Sequence, residues 1–413
     1  MSLDREIQFS FREQVESVYR ELADLLLTTQ YPNHPYYRAN LETARDVIES
    51  LQVAELDNYF QDACLTFDKK NIDEIDSSAA VIYTIILPDR LEVILSLCDR
   101  TFSRHTEIIS QTDLEKTIQQ LRYDLVQPDK VLEAQQLSAR VYDWLIKPFQ
   151  ADLTNSDTKT LVFVLDNILQ TLPMAALYDG KQYLIEKFAL ALTPGLRLLN
   201  PQQKSDSDRV LAGGVSELLQ VANRQFTALK NVTNELNSIK STLNGKILLN
   251  SQFTETNLAK QLDSRSTSIL HLANHGQFSS NPDRTFLLLW QKLLTIQDFS
   301  RLLKNRKQAM TNPINLLVLS ACETATGDRR ATLGLAGIAI GTGAVSTLAT
   351  LWQVNDDSTT ALMKHFYQKL YEAGDINKAE ALRQAQLALW NNSEKDWQVP
   401  AFWSAYILVG NWQ

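Results

Sequence analysis

Short apolar runs alternate with amphipathic stretches from Thr160 to the end of the 413-residue chain. The runs are, in chain order, "LVFVLD", "VLAGG", "KILLN", "SILHLAN", "TFLLLW", "INLLVLS" and "AVSTLATL". Strands that are apolar along their whole length are typical of a parallel sheet whose two faces are both covered by helices. The pattern therefore predicts an α/β fold with a mostly parallel sheet sandwiched by helices. Functional sites in such sheets form at the carboxyl ends of the strands.

The residues before Thr160 follow a different pattern. Helical spacing of apolar residues predicts three short helices in "FREQVESVYRELADLLL", "ANLETARDVIESLQ" and "AELDNYFQDACLTF". The runs "AAVIYTIILP" and "RLEVILSLC" predict a β-hairpin over residues 79–98. We therefore divide the chain into a helical region (1–75) that is an adaptor or the end of a repeat array, a small α+β region (76–157) and an α/β domain (158–413).

Composition excludes several classes of function. The net charge is −8 and no Lys/Arg run is long enough to form a basic patch, so we expect neither nucleic acid nor membrane as a partner. The N-terminus lacks the apolar core of a signal peptide, and no apolar stretch reaches the ~18 residues of a membrane helix. Three widely spaced cysteines, Cys64, Cys98 and Cys322, cannot form a fully paired disulfide framework, which fits a reducing compartment. We expect a cytoplasmic protein.

Two histidines, His271 and His275, lie four residues apart in "SILHLANHGQF". On a helix they would share one face and could bind zinc, but the apolar run around them predicts a strand, along which four residues span ~13 Å. We therefore predict no metal site and no cofactor. His271 lies within the predicted strand and is expected to pack in the core. His275 lies at the strand end beside Gly276, where the backbone can turn sharply, and this position suits either a packed residue or a catalytic base.

A cysteine follows another predicted strand end. The stretch "INLLVLSACETATG" carries a buried strand into Cys322, which lies 47 residues after His275. Adjacent strand ends would bring the thiol and the imidazole together, and a partner histidine converts a cysteine with an ordinary pKa of ~8.5 into a reactive thiolate. The order and spacing match those of caspases, in which the histidine lies ~50 residues before the cysteine. The alternative is an inert buried cysteine, which is our interpretation of Cys64 and Cys98.

Five longer stretches follow one another between Leu161 and the C-terminus. They are "LVFVLDNILQTLPMAALYDGKQYLIEKFAL", "HLANHGQF", "VLSACETATG", "LGLAGIAIGTGAVSTLATLWQVNDDST" and "PAFWSAYILVGNW". In this order they resemble the CHAT family, caspase-like cysteine peptidases related to caspases, separases and gingipains. The resemblance implies that His275 is the general base and Cys322 the nucleophile of a dyad. It also implies an oxyanion site formed by the backbone N–H groups of Gly276 and Cys322.

The resemblance has further implications. It implies a protein or peptide substrate and a regulatory protein partner, because family members often carry tetratricopeptide repeats upstream. It also allows the 76–157 region to be a degenerate caspase-like half. The sequence differs from the family after the first strand, where Leu165-Asp166-Asn167 replaces the usual Pro-Asp-Gly. Asparagine tolerates left-handed backbone geometry, so we expect the turn to be kept.

Two acidic residues are candidates for substrate binding. Asp356 in "LWQVNDDST" matches the acidic position of the family's Val-x-Asp pattern, in a loop that helps line the pocket for the residue preceding the cleaved bond. A carboxylate there would favour Arg or Lys. The alternative is that Asp356, Asp357 or Ser358 caps the helix that follows. Asp166, at another strand end, is the second candidate.

Two functions are consistent with these features. The leading hypothesis is a cytoplasmic cysteine endopeptidase that cleaves a partner protein after a basic residue and is regulated by partner binding. The alternative is a catalytically silent caspase-like scaffold or signalling module, in which the fold is kept but the dyad is not aligned. The spacing of two residues in a sequence does not give the distance between their side chains, so both hypotheses stay open at this point.

Overall fold

A computed structural model describes most of the chain. The described residues are 15–28, 34–60, 72–199, 209–264, 267–279, 281–306, 313–320, 322–324, 342–372, 376–393 and 395–413, with the backbone alone described at 322–324. Cys64 and the side chain of Cys322 thus lie outside the described part. Cys98 is a free cysteine. It is half-buried, whereas we expected it to be buried.

The described residues form an α/β structure. The helices are α1 (Ser17–Leu26), α2 (Tyr37–Phe60), α3 (Gln111–Val126), α4 (Val131–Leu145), α5 (Gln150–Asn155), α6 (Leu184–Lys187), α7 (Val232–Thr242), α8 (Glu255–Ser264), α9 (Ile296–Lys304), α10 (Asp356–Glu372), α11 (Lys378–Trp390) and α12 (Pro400–Trp403). The strands are β1 (Ala79–Ile86), β2 (Leu91–Ser96), β3 (Phe102–Glu107), β4 (Thr160–Val164), β5 (Ala189–Leu192), β6 (Val210–Gly214), β7 (Leu219–Val221), β8 (Arg224–Phe226), β9 (Gly245–Leu249), β10 (Ile269–Ala273), β11 (Gly276–Phe278), β12 (Phe286–Leu289), β13 (Lys292–Thr295), β14 (Leu316–Leu319), β15 (Cys322–Thr324), β16 (Ser346–Thr350) and β17 (Tyr406–Gly410).

Eleven of these strands form one sheet, in the order β3-β2-β1-β4-β5-β17-β16-β14-β10-β6-β9. Strands β1, β4, β5 and β17 are parallel to one another, and so are β16, β14, β10, β6 and β9. The two groups meet at the antiparallel pair β16–β17. The sheet is mostly parallel, as predicted, but the carboxyl ends of its two groups lie at opposite edges.

The strands at the centre of the sheet are buried along their whole length, which explains their apolar sequences. Every residue of β6, β10 and β16 is buried. Helix α7 packs closely on β6 because Gly214 has no side chain. A Cβ atom there would lie 2.6 Å from both the Val232 Cγ1 and the Ala273 carbonyl oxygen. Within the described residues, no helix combines the length and the hydropathy needed to cross a bilayer.

The predicted hairpin over residues 79–98 is confirmed, because β1 and β2 pair antiparallel. On its other side β1 pairs in parallel with β4, with Ala79 opposite Thr160. The sheet therefore continues across the boundary that the sequence predicts between residues 157 and 158. The small α+β region and the C-terminal region share one sheet.

Some elements differ from the sequence predictions. The second and third predicted helices are one helix, α2, because Val53 between them is neither glycine nor proline and does not end a helix. The strands β5 and β17 and the hairpin β7–β8 are not predicted. They are three to five residues long, and β17 begins three residues after the single-turn helix α12. Such short elements give little periodic signal.

Candidate functional site

The carboxyl ends of two neighbouring strands, β10 and β14, lead to the two predicted catalytic residues. Each strand is followed by a strand of a second sheet, ordered β13-β12-β11-β15. There β11 and β15 pair in parallel, with Gly276 opposite Cys322. Paired strands lie ~4.8 Å apart, so the backbone of His275, one residue before Gly276, neighbours that of Cys322. The structure thus brings the two backbones together.

Among the described residues, the imidazole of His275 makes one hydrogen bond. The side chain is half-buried, and its Nε2–H donates to the Thr227 carbonyl at 2.8 Å. Because a carbonyl can only accept, a neutral imidazole in this bond carries its proton on Nε2 and its lone pair on Nδ1. The Phe226 ring lies beside it, with 5.7 Å between the ring centroids. His275 therefore presents Nδ1 as a base.

The backbone at His275 is fixed by β12. The Leu288 N–H donates to the His275 carbonyl at 2.8 Å. The side chain of the buried Asn274 donates through Nδ2 to the Leu288 carbonyl at 2.6 Å. Gly276 pairs with Leu287 in the same strand. His275 is therefore carried by a hydrogen-bonded strand connection and not by a free surface loop.

A cleft of about 710 Å³, including its open mouth, lies beside His275. The hairpin β7–β8 forms one wall, and Gln277, Phe286 and Gln353 line other parts. The Arg224 guanidinium lies over the Phe286 ring, 5.1 Å from its centroid, and donates to Gln277 Oε1 at 3.4 Å. The cleft therefore combines polar and aromatic side chains beside the candidate base.

Asp356 is the first residue of α10 and is half-buried, and it is not among the residues that line the cleft. Its Oδ2 accepts the Asn231 backbone N–H at 2.6 Å, and Oδ1 has no hydrogen-bond partner among the described residues. Burial raises the pKa of Asp356, although the Asn231 bond and the charge of His275 both lower it. The helix is capped by Asn355, whose Oδ1 accepts the Asp357 N–H at 3.0 Å. None of the three residues predicted as possible caps takes that role.

His271 is a core residue, as predicted. It is fully buried, its Nε2 bonds to Glu235 Oε1 at 2.8 Å and its Nδ1 to the Tyr367 hydroxyl at 3.0 Å. Glu235 belongs to α7 and Tyr367 to α10, so the bonds attach both helices to β10. With both ring nitrogens bonded, His271 has none left for a metal. No cluster of three or more potential metal ligands occurs in the part of the chain that the structure describes.

Asp166 is not brought to the cleft. It follows β4, which lies five positions from β10 in the sheet and ends at the opposite edge. Its buried carboxylate accepts bonds from the Arg20 guanidinium at 2.7 and 2.9 Å and from the Ile86 N–H at 2.8 Å. Asp166 thus lies away from the cleft, whereas the prediction that it binds substrate assumed a single carboxyl edge. Asn167 has a φ of 49°, so the expected left-handed turn is confirmed.

Two residues of the site were not found by sequence reasoning. Thr227 contributes its carbonyl to His275, and Asn231 contributes its backbone N–H to Asp356. Every residue has a carbonyl and every residue except proline has an N–H, so neither role can be predicted from the residue type. Only the position of the hairpin β7–β8 could have indicated them, and that hairpin is not predicted.

Comparisons with known proteins concern the family and the fold of the chain. A family model described as the CHAT domain matches residues 135–411. Two crystal structures of the Saccharomyces cerevisiae separase–securin complex are similar to the chain, with TM-scores of 0.63 and 0.56, 11% identity, and coverage of 95% of this chain and 36% of the matched chain. The Arg-specific cysteine proteinase gingipain R gives a TM-score of 0.40 at 10% identity, covering 73% of this chain and 74% of that one. No curated protein matches the sequence.

Proposed function

The chain belongs to the CHAT family, and on that premise we propose that it is a cysteine endopeptidase with His275 and Cys322 as its catalytic dyad. The fold is caspase-like, and its similarity to separase supports the proposal at the level of the fold. The observation that carries the proposal is the pairing of Gly276 with Cys322 across β11 and β15. This pairing makes the backbones of the two dyad residues neighbours at one edge of the sheet.

The proposed reaction proceeds through a thioester. Nδ1 of His275 takes the proton from the Cys322 thiol, and the sulfur attacks the carbonyl carbon of the scissile peptide bond. The carbonyl oxygen becomes an oxyanion, which the N–H groups of Gly276 and Cys322 stabilise. The C–N bond then breaks, the imidazolium gives its proton to the leaving amine, and the acyl group stays on sulfur. Water, deprotonated by His275, hydrolyses the thioester and restores the thiol.

The Thr227 carbonyl supports the base in this reaction. The imidazole becomes positively charged when it takes the thiol proton, and a carbonyl bonded to Nε2–H stabilises that charge. The same bond opposes rotation of the ring, so Nε2 stays bonded to Thr227 and Nδ1 keeps a fixed direction. Thr227 thus has the orienting role that a carboxylate has in other dyads and triads.

The proposed substrate is a protein or peptide with Arg or Lys before the cleaved bond. Asp356 supports this preference because it lies three residues after Gln353, which lines the cleft, and its Oδ1 has no hydrogen-bond partner among the described residues. A guanidinium or ammonium group would make a charge-assisted hydrogen bond to that oxygen. A regulatory protein partner and a cytoplasmic location complete the proposal. The similar separase was crystallised with securin bound, which supports the partner.

Turnover of a peptide panel tests this function. The peptides would differ only at the residue before the cleaved bond, which would be Arg, Lys, Gln or Glu. We expect Arg and Lys peptides to be cleaved at least ~10-fold faster than the others, the ratio that one charge-assisted hydrogen bond can supply. Cys322→Ala should abolish turnover. Equal turnover of all four peptides would refute the basic preference, and activity that survives Cys322→Ala would refute the dyad.

A further inference from the structure

A series of hydrogen bonds links the start of α10 to the imidazole of His275. Asp356 Oδ2 accepts the Asn231 backbone N–H at 2.6 Å, and Asp357 Oδ1 accepts a bond from the Asn231 side-chain amide. Asn231 immediately precedes α7, and Thr227 lies four residues before it. Asp356 and Asp357 therefore bind one end of the connection from β8 to α7, at Asn231. Thr227, near the other end of the connection, binds His275.

We propose that Asp356 is a positioning residue for His275, acting through Asn231 and the Thr227 carbonyl. The inference rests on the proposed dyad and gives Asp356 a second role besides substrate binding. The two roles use different atoms. Oδ2 binds Asn231, whereas Oδ1 has no partner among the described residues and stays available to a substrate cation.

The connection from β8 to α7 needs such a fixed point. Thr227, Ala228 and Lys230 are exposed, and only Leu229 between them is buried. Exposed segments with few buried contacts are the mobile parts of a protein. At one end the connection follows β8, a three-residue strand in a two-stranded sheet. At the other end it is held by the buried Val232 at the start of α7 and by the bonds at Asn231.

The start of α10 is a suitable anchor because the helix is bonded to the main sheet. Thr359, one turn from Asp356, accepts a hydrogen bond from the buried Tyr406 of β17 at 2.9 Å. Farther along the helix, Tyr367 bonds to His271 of β10 at 3.0 Å. The position of Asp356 is thus determined by the same sheet that carries His275.

The variant Asp356→Asn separates the two roles. Its amide oxygen can still accept the Asn231 N–H, but its negative charge is lost. Asp356→Ala removes both the hydrogen-bond acceptor and the charge. Asp298→Ala is the matched control, because Asp298 is also a carboxylate in the first turn of a helix, α9, and its side chain bonds to Arg301 and not to the connection from β8 to α7.

The measurement is the alkylation rate of Cys322 by iodoacetamide as a function of pH, followed by mass spectrometry of the peptide that contains Cys322. This reagent has no side chain that Asp356 could bind. Activation by His275 makes a thiol react below its ordinary pKa of ~8.5, so at pH 6 the wild type should react at least ~10-fold faster than His275→Ala. Asp298→Ala should stay within about twofold of the wild type, Asp356→Asn should stay closer to the wild type than to His275→Ala, and Asp356→Ala should approach His275→Ala.

Three results would overturn the proposal. Asp356→Ala with the wild-type profile would show that His275 needs no help from Asp356. Asp356→Asn with the profile of Asp356→Ala would show that the charge, and not the hydrogen bond, acts on His275. Identical profiles for the wild type and His275→Ala would refute the dyad itself, and the positioning role with it. That last result involves no Asp356 variant, so the two failures are distinguishable.

Nitrogen-15 chemical shifts of the imidazoles provide a second measurement that does not depend on cysteine reactivity. We expect a single Nε2–H tautomer for His275 in the wild type and in Asp356→Asn, and a mixture of tautomers in Asp356→Ala. The signals of His271, which is fully buried and bonded at both nitrogens, report whether the core is folded. An unchanged His275 tautomer in a folded Asp356→Ala protein would also overturn the proposal.

Discussion

At the scale of single residues, Asp166 shows that a carboxylate at a strand end can stabilise the fold. Both of its oxygens accept hydrogen bonds from Arg20, and one also accepts the Ile86 N–H. Arg20 belongs to α1, and Ile86 is the last residue of β1. The side chains of the pair are 18% and 6% exposed. This buried ion pair therefore attaches the N-terminal helix to the sheet.

We predict that Asp166→Ala lowers the free energy of unfolding by about 3 kcal/mol, because it removes the main partner of a buried charge. Chemical denaturation measures the loss. Asp143→Ala breaks the exposed Asp143–Lys147 pair and is the control, with an expected loss below about 1 kcal/mol. The preference for Arg peptides should be unchanged, because Asp166 lies at the other edge of the sheet. A loss of that preference would contradict this placement.

The candidate site residues that can be predicted from the sequence are those whose side chains could take part in catalysis. His275 and Cys322 can be found because each follows a predicted strand and each is a residue type that nucleophilic catalysis requires. Thr227 and Asn231 cannot be found, since they act through backbone atoms that nearly all residues share. Asp166 has the same local pattern as a site residue. Its true role depends on strand direction, which its neighbours in the sequence do not encode.

At the scale of elements, the packing of α7 on β6 determines where the connection between Thr227 and Asn231 lies. The two elements approach each other closely at Gly214, where a Cβ atom would come within 2.6 Å of Val232 on α7 and of the Ala273 carbonyl oxygen. Interiors are packed at the density of organic crystals, so one added methyl group must displace the helix or the strand. A displaced α7 would move Asn231 as well.

We predict that Gly214→Ala lowers the free energy of unfolding by about 1–3 kcal/mol through this overpacking. Chemical denaturation again measures the loss. Val232→Ala removes one of the two closest atoms that the new Cβ would meet, so the double variant should lose less stability than the sum of the two single losses. Full stability of Gly214→Ala, or strictly additive losses, would contradict the close approach of α7.

The sequence predicts elements better than it predicts their partners. Whole-length burial gives β4, β6, β10, β14 and β16 a clear apolar signal, and all five are confirmed. The reversal of strand direction at β16–β17 depends on long-range pairing and on β17, a strand of five residues. No local pattern distinguishes a parallel from an antiparallel neighbour in a strand that is buried on both faces.

At the scale of the whole molecule, one sheet joins parts of the chain that the sequence patterns separate. The CHAT family model begins at residue 135, after β1, β2 and β3. Those strands belong to the same sheet as the rest, and β1 covers the edge of β4. All five residues of β4 are buried. The matched segment alone would therefore expose β4 as an apolar edge strand.

We predict that a protein of residues 135–413 aggregates where the full chain does not, because an open apolar edge strand pairs with other chains. Size-exclusion chromatography and sedimentation of the two proteins, at equal concentration, measure this. A monomeric 135–413 protein with the thermal stability of the full chain would contradict the structural role of β1, β2 and β3.

The central claim is that His275 activates Cys322 for substrates with a basic residue before the cleaved bond. The most direct measurement is labelling with an acyloxymethyl ketone peptide that carries Arg at the reactive position, analysed by intact mass. We predict one adduct per chain at Cys322, absent in Cys322→Ala and slower in His275→Ala, while a matched peptide with Glu in place of Arg labels weakly. A wild-type chain that stays unlabelled, or an adduct that persists in Cys322→Ala, would contradict the claim.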